Sequence, residues 1–120
     1  MKYKTFKYKD YENCSFEVGS YLYNKQCMVI NIVSEEGEPI TTCTVNMNGY
    51  FYYPNTTTIK NYSENSGMTN FLKNLGVIDE IYTSKRCNHF AGESETIDFC
   101  QINIDILKKY SSDFNYEYSF

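Results

Sequence analysis

The residues best equipped for chemistry lie together in one polar stretch, Lys85-Arg86-Cys87-Asn88-His89. A cysteine near a histidine is able to form a thiolate nucleophile. Cys87 and His89 are two residues apart, however, so their side chains point in different directions unless the turn is tight, and no family-specific signature surrounds Cys87. Arg86 and Lys85 favour a second interpretation, a cationic loop that holds a phosphate or a carboxylate. The simpler alternative is an exposed basic loop without a ligand.

The aromatic run Tyr50-Phe51-Tyr52-Tyr53 is the second candidate. Rings of this kind stack on a base, a nucleotide or a partner helix. Alternatively, alternate members of the run pack inward while the others protect a sheet edge. A nucleotide pocket would result if the run lay beside Arg86 in space. The predicted residues for binding a ligand or partner are therefore Tyr50, Tyr52, Tyr53, Lys85, Arg86 and His89.

No motif in the sequence specifies a reaction. The chain has no H-E-x-x-H, no G-x-S-x-G and no Gly-rich phosphate loop. The carboxylates of the segment 35–38 are best explained as solvated turn residues. A zinc site is not expected, because the five cysteines include no C-x-x-C pair. We therefore predict that the protein is not an enzyme and has no catalytic residue, no metal and no cofactor.

Composition favours a single domain, residues 1–120, that works by binding. A chain of 120 residues is long enough for one hydrophobic core and too short for two. Thirteen Tyr and eight Phe exceed what such a core holds, so several aromatic side chains must reach the surface, where Tyr favours recognition. Codon bias is the alternative explanation of the Tyr excess. A net charge of -4 argues against non-specific nucleic-acid binding.

The compartment is predicted to be the cytoplasm. The apolar stretches reach about five or six residues, far below the roughly 20 that cross a membrane. No charged patch followed by a long apolar run opens the chain. The cysteines are odd in number and several lie in apolar segments, which is typical of reduced core residues. No membrane partner is expected.

Hydrophobic periodicity predicts an α+β fold, with an antiparallel sheet of about five or six strands, one main helix and a short C-terminal helix. A hairpin is expected to have its turn at Asn24-Lys25. In the strand that follows it, Thr41, Cys43, Val45 and Met47 form the expected core face. The segment Lys2–Lys9 is predicted to be a strand or an arm. The other predicted strands are Ser20–Tyr23, Gln26–Val33, Ile40–Met47, Val77–Thr83 and Thr96–Ile104.

The main helix is predicted from about Ser66 to Leu75, where apolar residues recur at helical spacing. Asn65 or Ser66 is expected to cap its start, and Gly76 its end. A short helix is expected from Asp105, as its cap, to Tyr110. The segment 50–65 shows the least pattern and predicts a functional or mobile excursion.

Short segments of the chain resemble a family of small proteins from phages and conjugative elements, domain of unknown function 4313. The resemblance covers roughly Met28 to Leu107 and implies no activity and no catalytic residues. It does imply a mobile-element context, where small proteins often inhibit host defence. The segments that carry it are Val29-Ile30-Asn31-Ile32-Val33, Glu36-Gly37-Glu38-Pro39, Thr44-Val45-Asn46, Asn70-Phe71-Leu72 with Gly76, and Phe99-Cys100 before Leu107.

Two functions from different classes follow from these observations. The first is an accessory protein that inhibits a host defence system, in the manner of an anti-CRISPR protein, by binding a protein effector. The alternative is a module that binds or sequesters a nucleotide or another small ligand through the cationic loop and the Tyr-rich segment. An enzyme that uses Cys87 and His89 has the least support. Self-association as a homodimer through a sheet edge is a further expectation.

Overall fold

The computed structural model describes residues 3–47, 49–87 and 95–117. Within these ranges the fold is α+β: mostly antiparallel sheet, with two short helices. No helix of this part of the chain is long and apolar enough to cross a membrane. The elements are β1 Phe6–Tyr8, β2 Tyr11–Tyr21, β3 Asn24–Val33, β4 Pro39–Thr42, β5 Thr56–Asn61, α1 Met68–Leu75, β6 Ile78–Arg86, β7 Thr96–Ile102, α2 Ile104–Lys109 and β8 Ser111–Phe114.

The first sheet has the order β1-β2-β3-β4, with β8 added to β2. All its pairs are antiparallel except β2 with β8, which is parallel. In the β2–β3 pair, Phe16 opposes Ile32 and Val18 opposes Ile30, and all four side chains are buried. Apolar residues at every second position therefore cover one face of this sheet, as strand geometry requires.

The second sheet has the order β5-β7-β6, and both of its pairs are antiparallel. Helix α1 lies against β5 and β6, and it buries Met68 and Leu72 completely. The helix ends at Gly76, whose φ of 90° is left-handed and whose amide donates to the carbonyl of Lys73 at 3.0 Å. Glycine adopts this conformation at little cost, so the predicted C-cap is confirmed.

The segment Cys43–Val45, which we call the seam, hydrogen-bonds to both sheets. On one side the Cys43 amide donates to the carbonyl of Ile30 in β3 at 2.8 Å. On the other side the Val45 amide donates to the carbonyl of Thr58 in β5 at 3.0 Å, and the Lys60 amide donates to Cys43 at 2.8 Å. The seam therefore satisfies backbone groups of β3 and β5 that would otherwise lie unpaired at two sheet edges.

One hydrophobic core lies between the sheets and the helices. Its buried members come from both sheets and from α1 and α2. Phe6 of β1 shows how the elements meet, because its ring packs on Phe16 of β2 at 4.6 Å and on Phe71 of α1 at 5.7 Å. Tyr110, which follows α2, packs on the same ring at 5.8 Å. The short strand β1 therefore joins the helices to the first sheet.

The predicted position of the hairpin turn is wrong. Strand β2 runs through Tyr21, the turn is formed by Leu22 and Tyr23, and β3 starts at Asn24. The side chain of Asn24 donates to Asn46 at 3.1 Å, and the Tyr21 hydroxyl bonds the Thr44 hydroxyl at 2.9 Å. Asn24 is thus held by a tertiary contact with the segment after the seam, which turn propensity does not anticipate.

Strands β5 and β8 are absent from the prediction, so the predicted number of strands is too low for the described residues. Strand β5 lies inside the segment that was expected to be an excursion. Its residues Thr56, Thr57 and Thr58 are all buried. Three consecutive threonines show no apolar alternation, and they are buried here because their hydroxyls find partners; the Thr57 hydroxyl donates to the carbonyl of Met28 at 2.7 Å.

Both predicted helix starts are also wrong in detail. Helix α1 begins at Met68, and its N-cap is Gly67, which forms no side-chain cap. Asn65 is instead fully buried and ties the turn before α1 to β4, accepting from the Thr41 hydroxyl at 2.7 Å. The cap of α2 is Asn103 rather than Asp105, because the Asn103 side chain accepts a hydrogen bond from the amide of Ile106.

Further strand boundaries differ from the prediction. Strand β2 begins at Tyr11, and β6 continues to Arg86, so Lys85 and Arg86 lie in a strand and not in the predicted loop.

The N-terminal strand is confined to Phe6–Tyr8, and the strand predicted at Ile40–Met47 ends as β4 at Thr42. Of its expected core face only Cys43 is buried, and Thr44 of the opposite set is buried with it. The chain changes partner at this point, from β3 to β5, so a single alternation does not continue through the seam.

The bond from Thr57 to Met28 crosses directly from β5 to β3 and allows a test of the contact between the sheets. We expect Thr57→Val to lower the free energy of unfolding by about 1–3 kcal/mol, because the shape is kept and a buried carbonyl loses its partner. Urea unfolding measures this change. Thr83→Val is the matched control at an exposed strand position, and equal stability of the two variants would contradict the assignment.

Candidate interaction surface

The aromatic run at 50–53 is extended and divides between two sides. Tyr52 is 1% exposed and Tyr50 is half-buried, whereas Phe51 is 57% and Tyr53 is 60% exposed. The rings of Phe51 and Tyr53 pack edge to face, with centroids 4.8 Å apart. Alternate members of the run therefore face the protein and the solvent, and Phe51 and Tyr53, not Tyr52, are accessible at the surface.

Tyr52 anchors the run to the seam and to β5. Its hydroxyl bonds the hydroxyl of Thr58 at 2.8 Å and accepts from the amide of Met47 at 3.1 Å. The Thr58 hydroxyl in turn donates to the carbonyl of Val45. Burial raises the pKa of Tyr52 from 10.0 to about 12, because ionisation would place a charge in a poorly solvated site.

Phe99 of β7 is the centre of the aromatic cluster. Its ring centroid lies 5.7 Å from Tyr52, 5.9 Å from Tyr82 and 6.0 Å from Tyr50, and all three contacts are edge to face. Tyr82 is 47% exposed, and its hydroxyl donates to the side chain of Gln101 at 2.8 Å. We call Tyr50, Phe51, Tyr53, Tyr82 and Phe99 the aromatic patch.

Phe99, the centre of the patch, lies on the face of the second sheet that is opposite to α1, and Tyr50 and Tyr82 pack on it there. Ile97, Phe99 and Gln101 form one row of β7 and are half-buried, whereas Cys100 and Ile102 belong to the other row and are buried. Successive side chains of a strand point to opposite faces. The buried row packs under α1 and leaves the first row, with its aromatic neighbours, on the solvent side.

The two predicted cations lie on different faces of this sheet. Lys85 opposes Ile97 and therefore shares the face of the aromatic patch. Arg86 opposes Thr96 and points to the other face. Both side chains are exposed. The structure thus brings Lys85, but not Arg86, to the face that carries the aromatic residues, and the pairing of Arg86 with the Tyr run is not formed.

Cys87 closes the β6–β7 pair, and His89 lies outside the described residues. The Cys87 amide donates to the carbonyl of Glu95 at 2.9 Å. Burial raises the pKa of the Cys87 thiol, and the carboxylate of Glu95 raises it further. Both causes favour the protonated thiol, whereas a nucleophilic cysteine requires the thiolate. Lys85 acts in the opposite direction, and the pKa of Cys87 is nevertheless raised.

A buried carboxylate lies on the α1 side of the second sheet. Asp98 is 4% exposed, and one of its oxygens accepts from the Thr69 hydroxyl of α1 at 2.6 Å. Its other oxygen has no hydrogen-bond partner among the described residues. Because α1 covers this group, Asp98 fixes the helix on the sheet and is not part of the exposed surface.

Three members of the aromatic patch were not among the predicted binding residues: Phe51, Tyr82 and Phe99. The alternation of an extended segment identifies Phe51 once Tyr52 is known to be buried. Tyr82 and Phe99 come from strands that are distant in sequence from the run, and only the β6–β7 register brings them together. No local pattern indicates that contact.

Comparison with known proteins gives no relative: no family model, no curated protein and no solved structure matches this chain. The resemblance to domain of unknown function 4313 stays a prediction.

The buried hydroxyl of Tyr52 predicts a pH-dependent stability. Its pKa is higher in the folded chain, so the stability it contributes is complete below about pH 10 and is lost as the pH rises to about 12. We expect Tyr52→Phe to lose about 1–2 kcal/mol near neutral pH through its missing hydrogen bonds, and to fall less steeply above about pH 10. Urea unfolding at a series of pH values measures both effects.

If the free energy of unfolding fell equally steeply with rising pH in the wild type and in Tyr52→Phe, this assignment would be contradicted. A residual alkaline loss is expected in the variant, because burial also raises the pKa values of Tyr21 and Cys100. Tyr53→Phe is the matched control, since Tyr53 is exposed.

Proposed function

We propose that this chain is a non-catalytic binding protein that recognises a protein partner through the aromatic patch. The observation that carries the proposal is a group of exposed aromatic side chains supported from one buried side: Tyr82 packs on the half-buried ring of Phe99. The exposed pair Phe51 and Tyr53 belongs to the run whose other members, Tyr50 and Tyr52, pack on the same ring. Clustered exposed aromatic side chains are typical of interaction sites.

Support beneath the patch reduces the cost of binding. Tyr52 is hydrogen-bonded below it, and Phe99 holds Tyr50 and Tyr82 by edge-to-face packing. An aromatic side chain has few rotatable bonds, and packing has already restricted these rings. Less conformational entropy is then lost when a partner covers them, which leaves more of the interaction free energy as affinity.

The partner that we propose is an effector of a host defence system, met in the cytoplasm of a cell that carries a phage or another mobile element. This step rests on the resemblance of the sequence to mobile-element proteins. An inhibitor that acts by contact needs an exposed recognition surface and no catalytic group, and the aromatic patch supplies the former. Covering an effector's substrate channel or its assembly surface would then be sufficient for inhibition.

A nucleotide or small-ligand module is the second candidate, and the position of Lys85 favours it. Lys85 lies on the face of the aromatic patch, two positions along the strand from Thr83, which opposes Phe99. A base stacked on an aromatic ring would leave its phosphate within the field of this cation. Arg86 points to the other face and would not contribute, so this ligand would depend on one cation.

Loss of partner capture on changing the patch tests the first proposal. We expect Tyr82→Ser combined with Tyr53→Ser to abolish capture of the partner from host lysate, because removing such central rings costs about 2 kcal/mol or more each. Tyr11→Ser is the control, since Tyr11 is 49% exposed in the first sheet and Tyr82 is 47% exposed. Quantitative mass spectrometry of the bound proteins compares the three forms.

Equal capture by the patch variant and the wild type would contradict the proposal. A protein that the wild type and the Tyr11→Ser control retain in stoichiometric amount supports it when purified defence effectors reproduce the complex. A bound nucleotide without a protein would favour the small-ligand module, and thermal stabilisation by that nucleotide should then be lost in Lys85→Ala and kept in Arg86→Ala.

A further inference from the structure

The outer edge of β6 is a second surface of the fold, separate from the aromatic patch. The strand is nine residues long, and every residue after Ile78 is exposed. Its inner edge pairs with β7, and no strand within the described ranges pairs with its outer edge. Free backbone donors and acceptors along such an edge are a template for a further strand.

The charges along this edge are separated by sign. Asp79 and Glu80 stand near its beginning, whereas Lys85 and Arg86 stand at its end. Antiparallel pairing places the beginning of one strand opposite the end of the other. In a pair of β6 strands, the acidic end of each copy would therefore lie opposite the basic end of the other copy. A parallel pair would place like charges side by side, which is unfavourable.

A β-bulge in β6 places the opposite charges on one face. The register shifts between Ile81 and Thr83, so the inside–outside alternation of the strand reverses at Tyr82. Without such a shift, residues five positions apart, such as Glu80 and Lys85, would point to opposite faces.

The register with β7 gives the faces directly. Glu80 opposes Gln101 and Lys85 opposes Ile97, and Gln101 and Ile97 belong to the same row of β7. Glu80 and Lys85 therefore share the face of the aromatic patch. Neither side chain is engaged in a salt bridge within the described residues.

We propose that two copies of this chain associate edge to edge through antiparallel β6 strands, with Glu80 of each copy opposite Lys85 of the other. In this register Ile81 comes opposite Ser84, and these two residues also share a face, because they oppose Cys100 and Asp98. On each face of the sheet, therefore, a residue of one copy lies opposite a residue that points to the same face in the other copy. The two-fold axis passes through the bulge between Ile81 and Thr83.

The association joins the three-stranded sheets of two copies into one continuous sheet. A two-fold axis perpendicular to the sheet keeps the same face of each copy on the same side. The two aromatic patches then form one surface twice as large. The association itself does not depend on the proposed partner, and the failure of either proposal leaves the other standing.

Charge reversal tests the register. We expect the wild type to be a reversible dimer in sedimentation equilibrium between about 1 µM and about 1 mM. Glu80→Lys or Lys85→Glu alone should weaken the dimer about tenfold to hundredfold, since each change turns two favourable pairs into two like-charge pairs. The double variant Glu80→Lys with Lys85→Glu should regain most of the wild-type affinity, and an equimolar mixture of the two single variants should form a heterodimer.

Glu38→Lys and Lys25→Glu are the matched controls, because they make the same charge changes at exposed positions outside β6. They should associate like the wild type. A wild type that is monomeric over the whole concentration range would overturn the proposal. Single variants that associate like the controls, or a double variant no better than the single ones, would also overturn it, since the dimer would then use another surface or register.

Discussion

The segment Cys43–Val45 hydrogen-bonds to β3 on one side and to β5 on the other, and the rest of the structure depends on this double role. Each sheet alone would expose one apolar face and one edge of unpaired backbone groups. The side-chain bond from Thr57 to Met28 crosses between the same two strands. With the seam in place, both sheets and both helices contribute to one core, which the chain is long enough to fill only once.

The position of the aromatic patch follows from this arrangement. Because α1 covers one face of β5-β7-β6, the opposite face is left to Phe99 and to the rings that pack on it, Tyr82 of β6 and Tyr50 and Tyr52 after the seam. Tyr52 connects the aromatic run to the second sheet, since its hydroxyl hydrogen-bonds to Thr58 of β5 and to the amide of Met47, just after the seam. The aromatic run is therefore tied to β5 and to the residue after the seam by hydrogen bonds of its own, whereas Tyr82 and Phe99 are held in strands β6 and β7.

Sequence patterns predicted the elements that local periodicity of apolar residues marks. They missed the elements that depend on pairing with distant strands. The apolar run of β3 and the glycine cap of α1 at Gly76 are local signals, and both were read correctly. Strand β5 was missed because Thr56–Thr58 are polar by composition and are buried with their hydroxyls hydrogen-bonded; the partner of Thr57 lies 29 residues away in the chain. The parallel strand β8 gives no local signal at all, because its partner β2 lies about a hundred residues earlier in the chain. The placement of Lys85 and Arg86 on opposite faces of the sheet likewise follows only from the β6–β7 register.

Native-state hydrogen exchange in low concentrations of urea tests most directly whether the seam makes the two sheets one cooperative unit. We expect the amides of Val45 and Lys60, which bond across the seam, to exchange only through global unfolding. They should share the free energy and urea dependence of core amides in β2 and β3. A separate opening of β5-β7-β6 at clearly lower free energy, while β2 and β3 stay protected, would contradict this expectation. The aromatic patch would then lie on a sheet that opens independently of the first.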